Sequence, residues 1–173
     1  MQGMNEEIVW SGRFLNMIVR NGWEFVRRKK VSGIAGIIPL KDDGKLVLVE
    51  QFRPPLGKNV ISFPAGLAGD EPGSENETLQ VAAERELFEE TGYQATSMKE
   101  LFTGTTSCGL CDELMTFFLA TGLQKTGCGG GNNDESIIVH EVDSQQIIPW
   151  LKAKEKQGIL VDIKLYGIIS KLF

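Results

Sequence analysis

Glu77-Thr78-Leu79-Gln80-Val81-Ala82-Ala83-Glu84-Arg85-Glu86-Leu87-Phe88-Glu89-Glu90-Thr91-Gly92-Tyr93 is the stretch on which the reading of this chain turns. Good helix formers run through it, apolar residues recur at Leu79, Ala82, Ala83 and Leu87, and Gly92 stands as a terminator, which predicts a helix over 77–91. On such a helix Glu86 lies three residues from Glu89 and four from Glu90, so the three carboxylates share one face. Two unit charges about 5 Å apart repel by roughly 1 kcal/mol in water and roughly 3 kcal/mol at an intermediate dielectric. A cation among them relieves that repulsion. Arg85 offsets part of it through Glu89, four residues on, but one guanidinium does not neutralise the group. Hard oxygen donors with no His or Cys beside them select Mg²⁺, or Mn²⁺, over zinc. Spacing alone leaves a solvated charged face equally open.

Outward from this helix the pattern is mostly strand. Upstream, the segments 6–10, 14–19, 23–31, 33–40, 45–52 and 59–63 are rich in β-branched or aromatic residues and separated by turn signals such as Asp42-Asp43-Gly44. The glycine-rich and acidic segment 66–76 predicts a loop. Downstream, strands are expected at about 95–104, 113–120 and 136–142, with a second glycine-rich loop over 126–134. A helix from about 144 to 156, interrupted by Pro149 within its first turns, and a closing helix over 162–172 complete the chain. No repeat or composition break divides it. The expected fold class is α+β, with a mixed sheet in a single domain spanning 1–173.

Composition narrows the function. With 173 residues, 42% hydrophobic and 24% charged, the chain has enough apolar side chains for one core without disulfide or metal staples. A net charge of −5 argues against nucleic acid as a partner. The apolar runs are too short to span a bilayer, and Glu6 and Glu7 stand where a secretory signal would be basic. No membrane partner and a cytoplasmic location are therefore expected. Three cysteines, Cys108, Cys111 and Cys128, do not suggest a disulfide framework. With His140 they can be drawn as a zinc site, though the spacing matches no common finger, and small buried thiols are the plainer expectation. Cys128-Gly129-Gly130-Gly131 is no P-loop, because no Lys-Ser/Thr follows.

Arg85-Glu86-Leu87-Phe88-Glu89-Glu90-Thr91-Gly92-Tyr93, with Glu77 seven residues ahead of Arg85, resembles the Nudix box, G-x5-E-x7-R-E-U-x-E-E-x-G-U, where U is a bulky apolar residue. Gly66 stands eleven residues before Glu77 rather than six, so the loop between them carries extra residues within 68–76. Such an insertion costs little. The resemblance implies a Nudix fold: a mixed β-sheet sandwiched between helices, with an N-terminal antiparallel β extension over about 1–32. It also implies that Glu86, Glu89, Glu90 and the Ala65 carbonyl hold Mg²⁺, while Arg85 and Glu77 orient the carboxylates. Metals bridging a pyrophosphate relieve its charge and activate water, and a nearby carboxylate takes the proton.

Val49-Glu50-Gln51-Phe52-Arg53-Pro54 followed by Phe63-Pro64-Ala65-Gly66-Leu67 is similar to the lead-in of the ADP-ribose pyrophosphatase branch. By that resemblance Arg53 faces substrate phosphates. Trp23-Glu24-Phe25-Val26-Arg27-Arg28 resembles the N-terminal strand that forms the homodimer and meets the nucleobase, which makes Trp23 and Arg28 candidate substrate contacts, though a tryptophan in a core or dimer interface is the plainer expectation for Trp23. Ser62 replaces a glutamate common in that branch, and Cys108 replaces its marker proline, which widens the expected substrate to nucleotide sugars generally. The resemblance puts the catalytic base on a late mobile loop. Glu135, after Asn132-Asn133-Asp134, fits that place, and Glu113 is the second candidate. The expected function is Mg²⁺-dependent hydrolysis of the pyrophosphate of a small-molecule nucleotide, with ADP-ribose first. A hydrolase of oxidised nucleoside triphosphates and a non-catalytic binding module are the alternatives, and the intact box carboxylates weigh against the latter.

Overall fold

Short β-branched and aromatic runs cut by tight turns fold here as an N-terminal sheet ahead of two further sheets and three helices. The structure is a computed structural model that describes residues 5–70, 73–131 and 136–172. In chain order its elements are β1 (Glu6–Ser11), β2 (Leu15–Arg20), β3 (Trp23–Arg28), β4 (Gly33–Pro39), β5 (Lys45–Arg53), β6 (Lys58–Ser62), β7 (Ala65–Ala68), α1 (Leu79–Thr91), β8 (Tyr93–Thr105), β9 (Leu114–Lys125), β10 (Ile137–Asp143), α2 (Ile147–Lys156), β11 (Leu160–Val161) and α3 (Ile163–Leu172). The first three strands form a separate antiparallel sheet. A second sheet has the order β10-β5-β6-β11, and a third runs β7-β4-β9-β8. Both are mixed: β4 lies parallel to β9 and β11 parallel to β6, while the other pairs are antiparallel.

Helices cover these sheets on two sides. Ala82, Ala83 and Leu87 of α1 are fully buried against Ala35, Ile37, Val47, Tyr93 and Phe118. Ile147 and Leu151 of α2 and Leu165, Ile168 and Ile169 of α3 fill the other core with Ile38, Leu46, Leu48, Ile61, Phe63, Met115 and Phe117. Each fully buried aliphatic side chain contributes roughly 1.5–3 kcal/mol, so the two cores fix the relation of α1 to α3. That relation sets the site.

Three expectations need correction. The start of the predicted 66–76 loop is strand: β7 pairs antiparallel with β4, from Gly33 opposite Ala68 to Gly36 opposite Ala65. Its residues are small and carry no alternating pattern, so only the open edge of β4 makes them a strand. The helix predicted from Glu77 begins at Leu79, because Thr78 is extended and its Oγ1 accepts from the Val81 amide at 3.3 Å. Pro149 does not interrupt α2. It stands third in the helix, where its missing N–H has no intrahelical partner to lose, and a 3₁₀ turn over Ser144–Gln146 leads into it.

Candidate active site

Glu77, Arg85, Glu86, Glu89 and Glu90 converge as the spacing requires. Arg85 is the hub. Its Nε donates to Glu77 Oε1 at 3.0 Å and its Nη2 to Glu77 Oε2 at 3.1 Å, a two-pronged pairing. Nη2 also donates to the Leu67 carbonyl at 2.9 Å, which ties α1 to β7. Nη1 reaches Glu86 Oε1 at 2.8 Å and Glu89 Oε2 at 3.4 Å. The expected Arg85–Glu89 pairing is thus the weakest of the set. Arg85 holds the Glu77 carboxyl below its ordinary value, and the guanidinium is itself raised by the hydrogen bond to Glu77.

Glu86 is in the opposite state. Burial lifts its carboxyl to about 7, Glu89 and Asp70 add to the rise, and Arg85 opposes it. Its carboxyl group lies against Gly66: a Cβ there would come 1.9 Å from Glu86 Cδ, so only glycine lets the strand approach this closely. Beside it, the Ala65 amide donates to Glu90 Oε2 at 3.2 Å, with Glu90 only 5% exposed.

The donor set fits a hard divalent cation. Glu86, Glu89, Glu90 and the Ala65 carbonyl offer only oxygen, and Arg85 already supplies positive charge among the carboxylates. Among the described residues no group of three or more Asp, Glu, His or Cys stands in finished ligating geometry.

Glu86, Glu90, Ala65 and Gly66 line a cleft of about 650 Å³. Arg53, Arg28, Gln51, Ser62, Thr106, Asp162 and Lys164 also line it. Strand alternation places Gln51 and Arg53 on the cleft side of β5, while Glu50 turns to His140 and Lys154. Arg28 Nε donates to Glu113 Oε1 at 2.6 Å, so Glu113 is engaged by an arginine at the rim and does not line the cleft. Trp23 is 72% exposed on β3 and is not brought to the cleft of its own chain. Glu135 lies outside the described residues. Sequence reasoning missed Gln51, Asp70, Asp162 and Lys164. Gln51 was legible from its two-residue spacing to Arg53, whereas Asp162 and Lys164 reach the cleft only through the docking of α3.

The thiol expectation fails. Cys108 and Cys128 are exposed and Cys111 is half-buried, because the turn after β8 and the loop after β9 run over the surface. His140 Nε2 lies 2.9 Å from Glu50 Oε2 instead of joining the cysteines.

A family model described as NUDIX domain matches residues 32–158. The methanol dehydrogenase activator of Bacillus methanolicus is 34% identical over 160 residues, covering 86% of this chain and 81% of the relative. ADP-ribose pyrophosphatase of Bacillus subtilis (strain 168) is 32% identical over 162 residues, with 87% and 82% covered. GDP-mannose pyrophosphatase of Enterobacter sp. (strain 638) is 30% identical over 153 residues, with 81% and 77% covered. A solved structure described as an ADP compounds hydrolase superposes with a TM-score of 0.65 at 22% identity, covering 84% of this chain and 80% of the other, and shares the fold.

Proposed function

The chain belongs to the NUDIX domain family, and from that premise we propose that it hydrolyses the pyrophosphate bond of a nucleoside diphosphate sugar, ADP-ribose first, to a nucleoside monophosphate and a sugar phosphate. The observation that carries this reading is a single cleft lined both by the carboxylates Glu86 and Glu90 and by the arginines Arg28 and Arg53. Such a lining suits a diphosphate: Arg53 and Arg28 attract its oxygens, and the carboxylates take the divalent cation on which the family relies. Two relatives named for nucleotide-sugar pyrophosphatases add support.

In this reading Glu86, Glu89, Glu90 and the Ala65 carbonyl hold Mg²⁺, which supplies charge neutralisation and a more acidic water when bound. Arg85 and Glu77 keep the carboxylates in register through the pairing described above. Arg53 positions the phosphates. Glu135 accepts the proton of the attacking water. The amides of Gly130 and Gly131 donate to the backbone carbonyls of Glu90 and Glu89 at 2.9 and 3.0 Å, which anchors the segment before Glu135 at the C-terminal end of α1. Glu113, already paired, orients Arg28. The chain acts as a single domain in which β1–β3 serve a homodimer.

Incubation with Mg²⁺ and a panel of ADP-ribose, ADP-glucose, GDP-mannose, UDP-glucose and 8-oxo-dGTP tests the proposal by product analysis. Monophosphate plus sugar phosphate from a diphosphate sugar is the expected result. Turnover of the triphosphate alone, or of nothing, overturns it. Glu90→Gln lowers turnover by orders of magnitude while the melting curve stays cooperative; full activity in that variant removes Glu90 from the metal set.

A further inference from the structure

Cys108 and Cys111 take no part in the proposed hydrolysis, yet both stand in the one turn that joins β8 to β9. The turn closes twice on a single acceptor: the amides of Leu110 and Cys111 donate to the Ser107 carbonyl at 2.9 and 3.0 Å. The second of these bonds makes it one turn of helix, in which residues three apart are neighbours with Cβ atoms about 5–6 Å apart. A disulfide needs roughly 3.5–4.5 Å, so a small contraction of the turn joins the two sulfurs. Gly109 between them leaves room for it, since an added Cβ there would meet nothing within 4 Å. Cys108 is exposed, whereas Cys111 is half-buried with its Sγ 3.2 Å from Thr106 Oγ1. Cys128 belongs to a different loop, after β9.

The same turn holds the N-terminal sheet to the cleft. Val26 of β3 forms a parallel bridge with Cys111, and its amide donates to the Leu110 carbonyl at 2.9 Å. Asp112 then pairs with Arg27 at 2.6 Å, and Glu113 accepts from Arg28 Nε at 2.6 Å. Thr106 on one flank of the turn and Arg28 on β3 both line the cleft.

We propose that Cys108 and Cys111 form a redox modification site, which a peroxide converts to a disulfide that loosens the turn's hold on β3 and weakens substrate binding through Arg28. The site lies outside the pyrophosphatase reading and rests on it only for the substrate whose KM is followed. The chemistry balances in two steps. The accessible Cys108 thiolate attacks one peroxide oxygen, so that an S–O bond forms, the O–O bond breaks and hydroxide leaves as water. The Cys111 thiolate then attacks the Cys108 sulfur, so that the S–S bond forms, the S–O bond breaks and a second water leaves. Two thiols are oxidised and one peroxide is reduced. Drawing Cys111 toward Cys108 takes its thiol from Thr106 and shifts the backbone between Leu110 and Asp112, the two residues through which the turn grips Val26 and Arg27.

Cys128→Ser protein, which keeps the pair and removes the third thiol, is treated with hydrogen peroxide and then with dithiothreitol. Mass spectrometry is expected to show the peptide holding both cysteines lighter by two hydrogens and closed to alkylation, with both thiols recovered on reduction. The oxidised protein is expected to show KM for ADP-ribose with Mg²⁺ raised about three- to tenfold, a smaller change in kcat, and reversal by dithiothreitol. Amide exchange across β3 is expected to quicken in the oxidised protein, because the Val26 amide loses its acceptor. Cys111→Ser in the same background keeps the reduced protein's kinetics and responds to peroxide by neither measure. Added oxygen on either sulfur without loss of two hydrogens overturns the site. A disulfide that leaves both KM and β3 exchange unchanged overturns its coupling to the cleft. If the wild type turns over no diphosphate sugar, the pyrophosphatase reading falls, and the redox site stands or falls on the mass and exchange measurements alone.

Discussion

Arg85 and Glu50 show how single side chains hold this molecule in two different ways. Arg85 is 19% exposed and satisfies Glu77, Glu86 and the Leu67 carbonyl at once, a geometry that needs a planar fork. Arg85→Lys keeps the charge but loses the fork. It is expected to lower kcat by about ten- to a hundredfold and to lower the melting temperature, because a group that holds the proposed metal-binding carboxylates in place costs that much when removed. Unchanged turnover would show that the carboxylates orient themselves. Glu50 lies on the other side of β5, 4% exposed, and accepts from Asn59 at 2.9 Å and Lys154 at 3.3 Å, with His140 at 2.9 Å. Burial alone would raise its carboxyl. The hydrogen bonds from Asn59, His140 and Lys154 outweigh that and hold it below 4.5. A depressed folded value means the stabilisation is complete above the ordinary carboxylate range and is lost as pH falls through the folded value. Acid melts should therefore show wild type losing stability below about pH 5. Glu50→Leu, about 2–4 kcal/mol less stable near neutrality, should follow a flatter pH curve. Equal slopes would remove Glu50 from the acid transition.

At the scale of elements, α1 depends on its end as much as on its carboxylate face. Gly92 closes it at φ 75°, and its amide donates to the Phe88 carbonyl at 2.8 Å. The following loop folds back so that Thr126 and Gly127 donate to the Gly92 carbonyl. A Cβ on Gly92 would come 2.3 Å from the Gly127 carbonyl oxygen. Gly92→Ala thus combines a left-handed φ with a backbone clash, and an expected loss of about 2–4 kcal/mol is read from denaturant melts. A loss under about 0.5 kcal/mol would mean the loop detaches freely from the helix. The box helix was legible because its signals are local: helix formers, carboxylate spacing and a terminal glycine. The same held for β4, β5 and β9, whose apolar runs fix their burial. β7 and β11 were not legible, since Ala65–Ala68 and Leu160–Val161 are strands only because β4 and β6 have edges to fill. Lys164 was hidden for a related reason. Its place in the cleft lining is set by the burial of Leu165, Ile168 and Ile169, which one reads as a helix face without learning what that face meets.

For the whole molecule, the N-terminal sheet poses the remaining physical problem. Every residue of β1 is exposed, and Trp10, Phe14 and Trp23 are 59%, 65% and 72% exposed. Single exposed apolar residues are ordinary, but this small sheet leaves Trp10 and Trp23 uncovered, with Ile8 and Val9 exposed on β1 and Phe14 exposed in the turn after it. The sheet is nevertheless fixed to the body. Arg27 joins Glu6 to Asp112 at 2.7 and 2.6 Å, and the Val26 amide donates to the Leu110 carbonyl at 2.9 Å. A tethered, uncovered apolar sheet is what a second copy of the chain would bury. Because β3 also carries Arg28 into the cleft, pairing at this sheet would stiffen the part of the cleft that Arg28 lines. Light scattering after size exclusion is expected to give a dimer mass for the wild type and a monomer mass for the Trp10→Glu, Trp23→Glu double variant. The separated variant should keep its melting cooperativity, since these side chains touch no core, and should show a raised KM through a looser Arg28. A wild-type monomer at micromolar concentration would leave the sheet without a second copy. Unchanged KM in a proven monomer would confine the sheet to assembly alone.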